Sequence, residues 1–254
     1  MKEIYCWSGG KDSTASIISS HIMGRKPGTI IFSEVMFDKN ISGELPEQVE
    51  FINKAIPIFK SWGFEAEVLH AKETYLDLFY KVNQGKKHPE RKGKYYGFPM
   101  AGKCIINDRC KMKPIRDYLK SIQGDFVEYV GIAIDEPKRL ERLDTKKKSS
   151  LLAQCGYTEQ MAYDLCKQFD LLSPYYDFSN RGGCWFCPNA RDCQLRHLRK
   201  NHPNLWNKLL QLENEPNLIG NMWNTLQQKS IHDKEEQFRL EDAQITIFDF
   251  IKEE

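Results

Sequence analysis

The sequence has no run of about 18 apolar residues, the length a helix needs to cross a bilayer. Its opening, MKEIYCWSGG, lacks the basic start and apolar stretch of a secretory leader. There is no internal repeat and no low-complexity tract, which excludes collagen-like and compositionally disordered chains. Net charge is nearly absent: 37 Lys and Arg against 35 Asp and Glu leave +2. What is present, 41% hydrophobic and 28% charged residues over 254 positions, is an ordinary globular composition. Such a length predicts one large domain, or one domain with an appendage. The expected location is cytoplasmic, with no membrane partner. Eight cysteines in a reducing compartment then point to metal ligation or catalysis rather than disulfides.

Strand-like and helix-like segments alternate. Residues 2–7 form a short β-prone run, and a helical pattern follows over 15–23. Residues 28–37 (with TIIFSEVMF) read as a buried strand, and 45–62 places Val49, Ile52, Ile56 and Phe59 at helical spacing. Residues 64–69 alternate like a strand, and 127–134 is another apolar run. This order predicts βαβ units in a doubly wound, mostly parallel α/β fold. The expected division is an α/β domain over 1–180 and a helical, cysteine-containing extension over 181–254.

The small net charge is an average of unlike regions. Residues 84–120 carry eleven Lys and Arg against three acids, and 138–148 carry six more bases. Residues 211–254 carry ten acids against four bases. A basic stretch is either a solvated face or a site for phosphates or a nucleic-acid backbone. Tyr95, Tyr96 and Phe98 are interleaved aromatics that suit either core packing or base stacking.

Ser8-Gly9-Gly10-Lys11-Asp12-Ser13-Thr14 sits at a strand end and opens a helix. Glycines let the backbone approach a ligand and adopt positive φ. Successive amides form an anion nest, and the helix N-terminus adds unpaired donors. Ser8 and Ser13 supply hydroxyls, Lys11 supplies charge, and Asp12 suits a helix cap or a nucleotide's Mg²⁺. The Walker pattern is excluded, because Gly10-Lys11 is followed by Asp12 rather than Ser or Thr.

Cys184-Trp185-Phe186-Cys187 is a C-x2-C, a spacing that suits a metal, a redox dithiol or neither, and the metal reading is favoured because the tight turn brings both sulfurs to one side. Cys104 and Cys110 are the best second pair, since Arg109, Lys111 and Lys113 beside them favour thiolates. Cys193 competes as a ligand. Zn²⁺ and a [4Fe–4S] cluster accept this donor set equally. Cys155 and Cys166, in a helical stretch, and Cys6, in the first strand, read as packing thiols.

The loop resembles the SGGxDS signature of the PP-loop ATP pyrophosphatase superfamily, which implies a doubly wound fold holding the phosphates of ATP or a related adenine nucleotide. Further segments resemble the phosphoadenosine-phosphosulfate (PAPS) reductase family within it. These are Phe37-Asp38 with Gly43-Glu44-Leu45-Pro46-Glu47, Cys110-Lys111-Met112-Lys113-Pro114, and Gly131-Ile132-Ala133-Ile134-Asp135-Glu136 with Arg139 and Arg142. Leu172-Ser173-Pro174-Tyr175-Tyr176 and Gly182-Gly183-Cys184-Trp185-Phe186-Cys187-Pro188 complete the set. The resemblance covers about residues 1–200 and adds Asp38 to the nucleotide-binding set. Reductases of the family attack with a cysteine near the C-terminus, whereas the last cysteine here is Cys193. The resemblance therefore points to the reductase-like branch that includes the sulfur-incorporating enzyme of DNA phosphorothioation, with phage and mobile-element relatives.

The expected activity is cleavage of ATP at the α–β bond with adenylation of an acceptor. Lys11, Arg139 and Arg142 would supply charge, Asp12 would hold Mg²⁺, and metal-linked sulfur chemistry would follow. A nucleic-acid substrate and a sulfur-donor protein are the implied partners. Two alternatives stand beside it: reduction of a sulfonucleotide, using Cys193 or Cys6 as nucleophile, and a non-catalytic nucleotide- or nucleic-acid-binding module with structural zinc.

Overall fold

The computed structural model describes residues 1–100, 104–224 and 228–251, with side chains described to residue 244. In chain order the elements are β1 (Lys2–Trp7), α1 (Lys11–Ile22), β2 (Thr29–Glu34), α2 (Pro46–Ser61), β3 (Glu65–His70), α3 (Tyr75–Phe79) and β4 (Tyr95–Gly97). There follow α4 (Lys113–Ser121), β5 (Phe126–Val130), α5 (Pro137–Leu140), β6 (Lys148–Ser149), α6 (Leu151–Gln154) and α7 (Glu159–Gln168). The last are α8 (Asp192–Asn201), α9 (Pro203–Glu213), β7 (Leu218–Gly220) and α10 (Ile231–Ile251). Among the described residues no helix is long and apolar enough to cross a membrane.

The chain divides into two compact units, residues 1–72 with 108–184, and residues 73–107 with 185–254. Residues 73–107, expected in the α/β domain, thus group with the C-terminal segment. Sequence proximity alone cannot show that an inserted stretch leaves the sheet it interrupts.

The first unit is built on a five-stranded sheet of order β3-β2-β1-β5-β6, with every pairing parallel. This is the doubly wound α/β architecture that the alternating pattern predicts. Strand periodicity sends Tyr5 and Trp7 to one face and Ile4 and Cys6 to the other. The first face joins Ile30 and Phe32 under α1, α2, α6 and α7, forming the larger core. The second joins Ile31 under Ile115 of α4. Burial on both faces explains why β2 reads as a continuous apolar run, whereas β3, at the sheet edge, alternates.

Each covering helix has a local cause. α2 starts with Pro46 at its first turn, where a missing N–H costs nothing, and presents Phe51, Ile52, Ala55 and Phe59 to the sheet. α7 is capped by the Thr158 hydroxyl, which accepts from the Met161 amide. α1 is buried on most of its surface, and its small residues (Ser13, Thr14, Ala15, Ser16, Ser19, Ser20) allow close packing.

The second unit pairs β4 with β7 in parallel. Gly97 has φ +74°, and a Cβ there would meet the Gly220 carbonyl oxygen at 2.3 Å. An aromatic cluster packs Tyr75 on Phe186 and Phe79 on Phe98. Arg199 joins α8 to α10 through Glu235, whose carboxylate also accepts from the Trp206 indole. Phe98 is therefore core, while Tyr96 is exposed and Tyr95 packs edge-on against Tyr80. Residues 84–94 are exposed throughout, as expected for the loop-like part of the basic stretch. Lys103 lies outside the described residues, as do the side chains of 245–251.

The Trp7 indole, buried in the main core, donates to Thr14 Oγ1 at 2.8 Å and ties β1 to α1 across the loop between them. Thr14→Val keeps the volume and strands the indole N–H. It should lower unfolding free energy by about 1–3 kcal/mol, measured by urea denaturation.

Candidate nucleotide site

In the sheet of the first unit, strand order reverses at β1: β2 lies on one side and β5 on the other. Crevices outside the carboxyl ends of strands at such a reversal are where open α/β sheets bind ligands. The SGGKDST segment leaves the carboxyl end of β1 at this point.

The loop is shaped by two close approaches. Gly9 has φ +73°, and Gln48 lies against it, its Nε2 3.4 Å from the Gly9 carbonyl oxygen and 2.4 Å from where a Cβ would stand. Ser173 donates to the other end of that amide at 2.6 Å, so Gln48 is held from both sides. Gly131, just past β5, lies so near α1 that a Cβ there would sit 2.4 Å from the Ser13 amide nitrogen. That contact is backbone against backbone, with no side chain free to yield.

Within the loop, the Ser13 hydroxyl accepts from the Ser8 amide and donates to the Gly10 carbonyl, both at 3.1 Å. The two serine hydroxyls are themselves 3.1 Å apart. Gly10 is extended and caps α1 without a side chain. The first-turn amides thus have no side-chain cap from their own helix. The Lys11 amide donates to the Tyr176 hydroxyl at 3.0 Å.

Charge converges on the same place. Lys11 Nζ donates to Asp12 Oδ1 at 2.8 Å and to Glu159 Oε1 at 2.9 Å. Oxygens of Asp12, Glu136 and Glu159 all lie within 4.8 Å of one another. Burial works against the Lys11 ammonium, but its hydrogen bonds to Asp12 and Glu159 outweigh that and raise its pKa. Burial likewise raises the pKa of Asp12, against the pull of Lys11. Arg139 grips Glu136 with both carboxylate oxygens accepting from Nη1, at 2.5 and 2.7 Å, and reaches the Gly131 carbonyl at 3.4 Å.

The residues expected at the site are therefore placed unequally. Ser8 to Thr14 form the loop, and Arg139 stands at its edge through Glu136 and Gly131. Arg142 is exposed beyond α5. Asp38 Oδ1 accepts from the Asn40 and Ile41 amides at 2.8 Å each, so this oxygen stabilises its own turn. Sequence reasoning missed Gln48, Glu159 and Tyr176 in the loop's surroundings. Glu159 is 148 residues from Lys11 and has no local motif; only the packing of α7 on α1 brings it there.

Each cysteine is a thiol, with no disulfide among the described residues. Cys110 is buried in a π-helical turn, Asn107–Met112, and Cys104, Cys184 and Cys187 are half-buried. Cys110 and Cys184 belong to the first unit, and Cys104 and Cys187 to the second. Cys193 is exposed at the start of α8. Cys6 donates to Glu128 at 3.3 Å; burial, together with that carboxylate, pushes its thiol well up. Cys166 donates to the Lys11 carbonyl at 3.2 Å, and burial pushes its pKa up to about 12. Cys166 is part of the larger core and Cys6 packs against the smaller one.

No family model matches the chain. It is 30% identical over 96 residues to the "Uncharacterized nin region protein ORF290" of Escherichia phage lambda, a match over 37% of this chain and 32% of that protein. The chain thus spans about a third of the length of this curated relative. Among solved structures it is similar to the phosphoadenylyl-sulfate (PAPS) reductase from Candida auris in its phosphate complex. That likeness covers 73% of this chain and 82% of that one, at 9% identity and a TM-score of 0.45. It is also similar to the U34-tRNA thiolase NcsA from Methanococcus maripaludis with its [4Fe-4S] cluster. There the cover is 85% and 72%, at 16% identity and a TM-score of 0.39.

Gly131→Ala should force β5 and α1 apart. The expected loss is about 1–3 kcal/mol of stability, the usual cost of overpacking, seen as a lower denaturation midpoint with an unchanged urea slope.

Proposed function

We propose that this chain is a PP-loop enzyme of the PAPS reductase-like kind that cleaves ATP between its α- and β-phosphates and adenylates an acceptor. The observation that carries the reading is the SGGKDST loop at the strand-order reversal, with Gly131 clearing the space beside the first turn of α1. An acceptor oxygen attacks the α-phosphorus, the bond to the bridging oxygen breaks, and pyrophosphate leaves with the electron pair.

The loop amides, the Ser8 and Ser13 hydroxyls and the Lys11 ammonium bind the pyrophosphate end and stabilise the charge it gains. Arg139 steadies Glu136 at the rim, and Arg142 is the further cation assigned to the phosphates. Asp12, with Glu136 and Glu159, offers a set of hard oxygens that fits Mg²⁺, which would neutralise phosphate charge. Asp38 completes the nucleotide set taken from the family pattern.

Cys104, Cys110, Cys184 and Cys187 are assigned to a metal group, a [4Fe–4S] cluster or Zn²⁺, with Cys193 as the competing ligand. A cluster would supply the sulfur chemistry that follows adenylation. A nucleic-acid acceptor is supported by the exposed basic residues 84–94 and the exposed Tyr96, and a sulfur-donor protein would be the second partner. Sulfonucleotide reduction is the second reading: Cys6 lies half-buried against Glu128, which leaves the exposed Cys193 as its nucleophile. A non-catalytic binding module with structural zinc leaves the convergence of Lys11 and three carboxylates without a use.

ATP labelled at the α- or γ-phosphate decides the bond that breaks. The expected product is pyrophosphate, and orthophosphate release would refute the reading. Lys11→Met should lower kcat/KM by roughly 100-fold or more, the scale of losing one preorganised charge-stabilising donor. Anaerobic purification should give a brown protein with iron and a broad visible band. Cys184→Ser should bleach that band, and zinc in place of iron would remove the sulfur-transfer half.

A further inference from the structure

The ammonium that the loop offers to a phosphate already has two partners. Asp12, the neighbouring residue, travels with Lys11. Glu159 does not, because it is the first residue of α7, a helix packed along α1. Its backbone is pinned: the Glu159 amide donates to Asp135 Oδ1 at 3.0 Å, and Thr158 caps the same turn. The Lys11 side chain is 12% exposed and that of Glu159 is 51% exposed. A buried ammonium thus leans on a carboxylate that water already reaches. Such half-exposed pairs are weak, and a doubly charged phosphate oxygen cluster outcompetes one carboxylate for the same ammonium.

We propose that Glu159 is a displaceable tether for Lys11: it holds the ammonium aside in the empty protein and yields it to the phosphates of an incoming nucleotide. The proposal rests on the nucleotide reading above and adds a positioning residue to it. Its consequence is selectivity. A bare anion must draw Lys11 away from Glu159 while facing Asp12, Glu136 and Glu159. A nucleotide that brings a divalent cation gives the released carboxylate a new partner.

The test is calorimetric binding of pyrophosphate to the full chain with divalent cations removed by a chelator. Glu159→Gln should bind about threefold more tightly than the wild type, matching the loss of one weak ion pair. Damage to the fold would weaken binding, so tighter binding cannot come from it. Removal of any nearby negative charge also helps an anion, and a double-mutant cycle separates that effect. In a Lys11→Met background the gain from Glu159→Gln should vanish. An equal gain in both backgrounds, or no gain in the first, overturns the tether. Glu136→Gln, which removes a charge that does not touch Lys11, should give a smaller gain than Glu159→Gln, and an equal gain also counts against the tether. If the wild type binds neither pyrophosphate nor ATP with Mg²⁺, the nucleotide reading itself fails and takes the tether with it. If it binds both and the cycle shows no coupling, only the tether fails.

Discussion

The approach of Gly131 to the first turn of α1 is the constraint on which the site depends. Two strands, β1 and β5, run side by side and parallel, yet their chains leave in opposite directions across the sheet. The gap between their ends becomes usable only if the chain leaving β5 passes close to the helix leaving β1. A hydrogen in place of a Cβ at Gly131 permits that. The contact beside the loop is then backbone against backbone, while the Ser8 and Lys11 amides donate to Ser13 and Tyr176. Gln48 and Ser173 act on the other flank, holding the positive-φ turn at Gly9.

Electrostatics follows from this geometry. A helix N-terminus favours anions, and the chain has placed its own there: Asp12 in the first turn of α1 and Glu159 in the first turn of α7. Both carboxylates share the one ammonium of Lys11. The same side chains therefore stabilise the empty loop and oppose a second, uncompensated anion. Arg139 compensates Glu136 alone, since both its short contacts go to that carboxylate. Three carboxylates against two cations leave a net negative rim around an anion-shaped floor.

Much of the first unit was legible because both faces of its sheet are buried and its helices are amphipathic. TIIFSE, the α2 spacing and the SGGKDST loop each carry their structure locally. The strand order, and with it the meaning of the loop's position, is a long-range property that no local pattern encodes. Glu159 was invisible for the same reason, and Tyr176, though part of a family-like segment, had no visible link to the loop, since each reaches Lys11 across more than a hundred residues. Gly131 stood inside the apolar run 127–134 and in a family-like segment, but nothing local told what it avoids. Asp38 shows the converse limit. The family pattern names it as a ligand, and no pattern in the sequence shows that its Oδ1 also accepts from two backbone amides in an Asx-type turn.

The cysteines divide along a physical line rather than by position in the sequence. Cys6 and Cys166 sit where burial and neighbouring acids, Glu128 and Asp12, make a thiolate costly. The two pairs proposed as metal ligands stand in different sequence surroundings: Arg109, Lys111 and Lys113 flank Cys110, and Arg181 precedes Cys184.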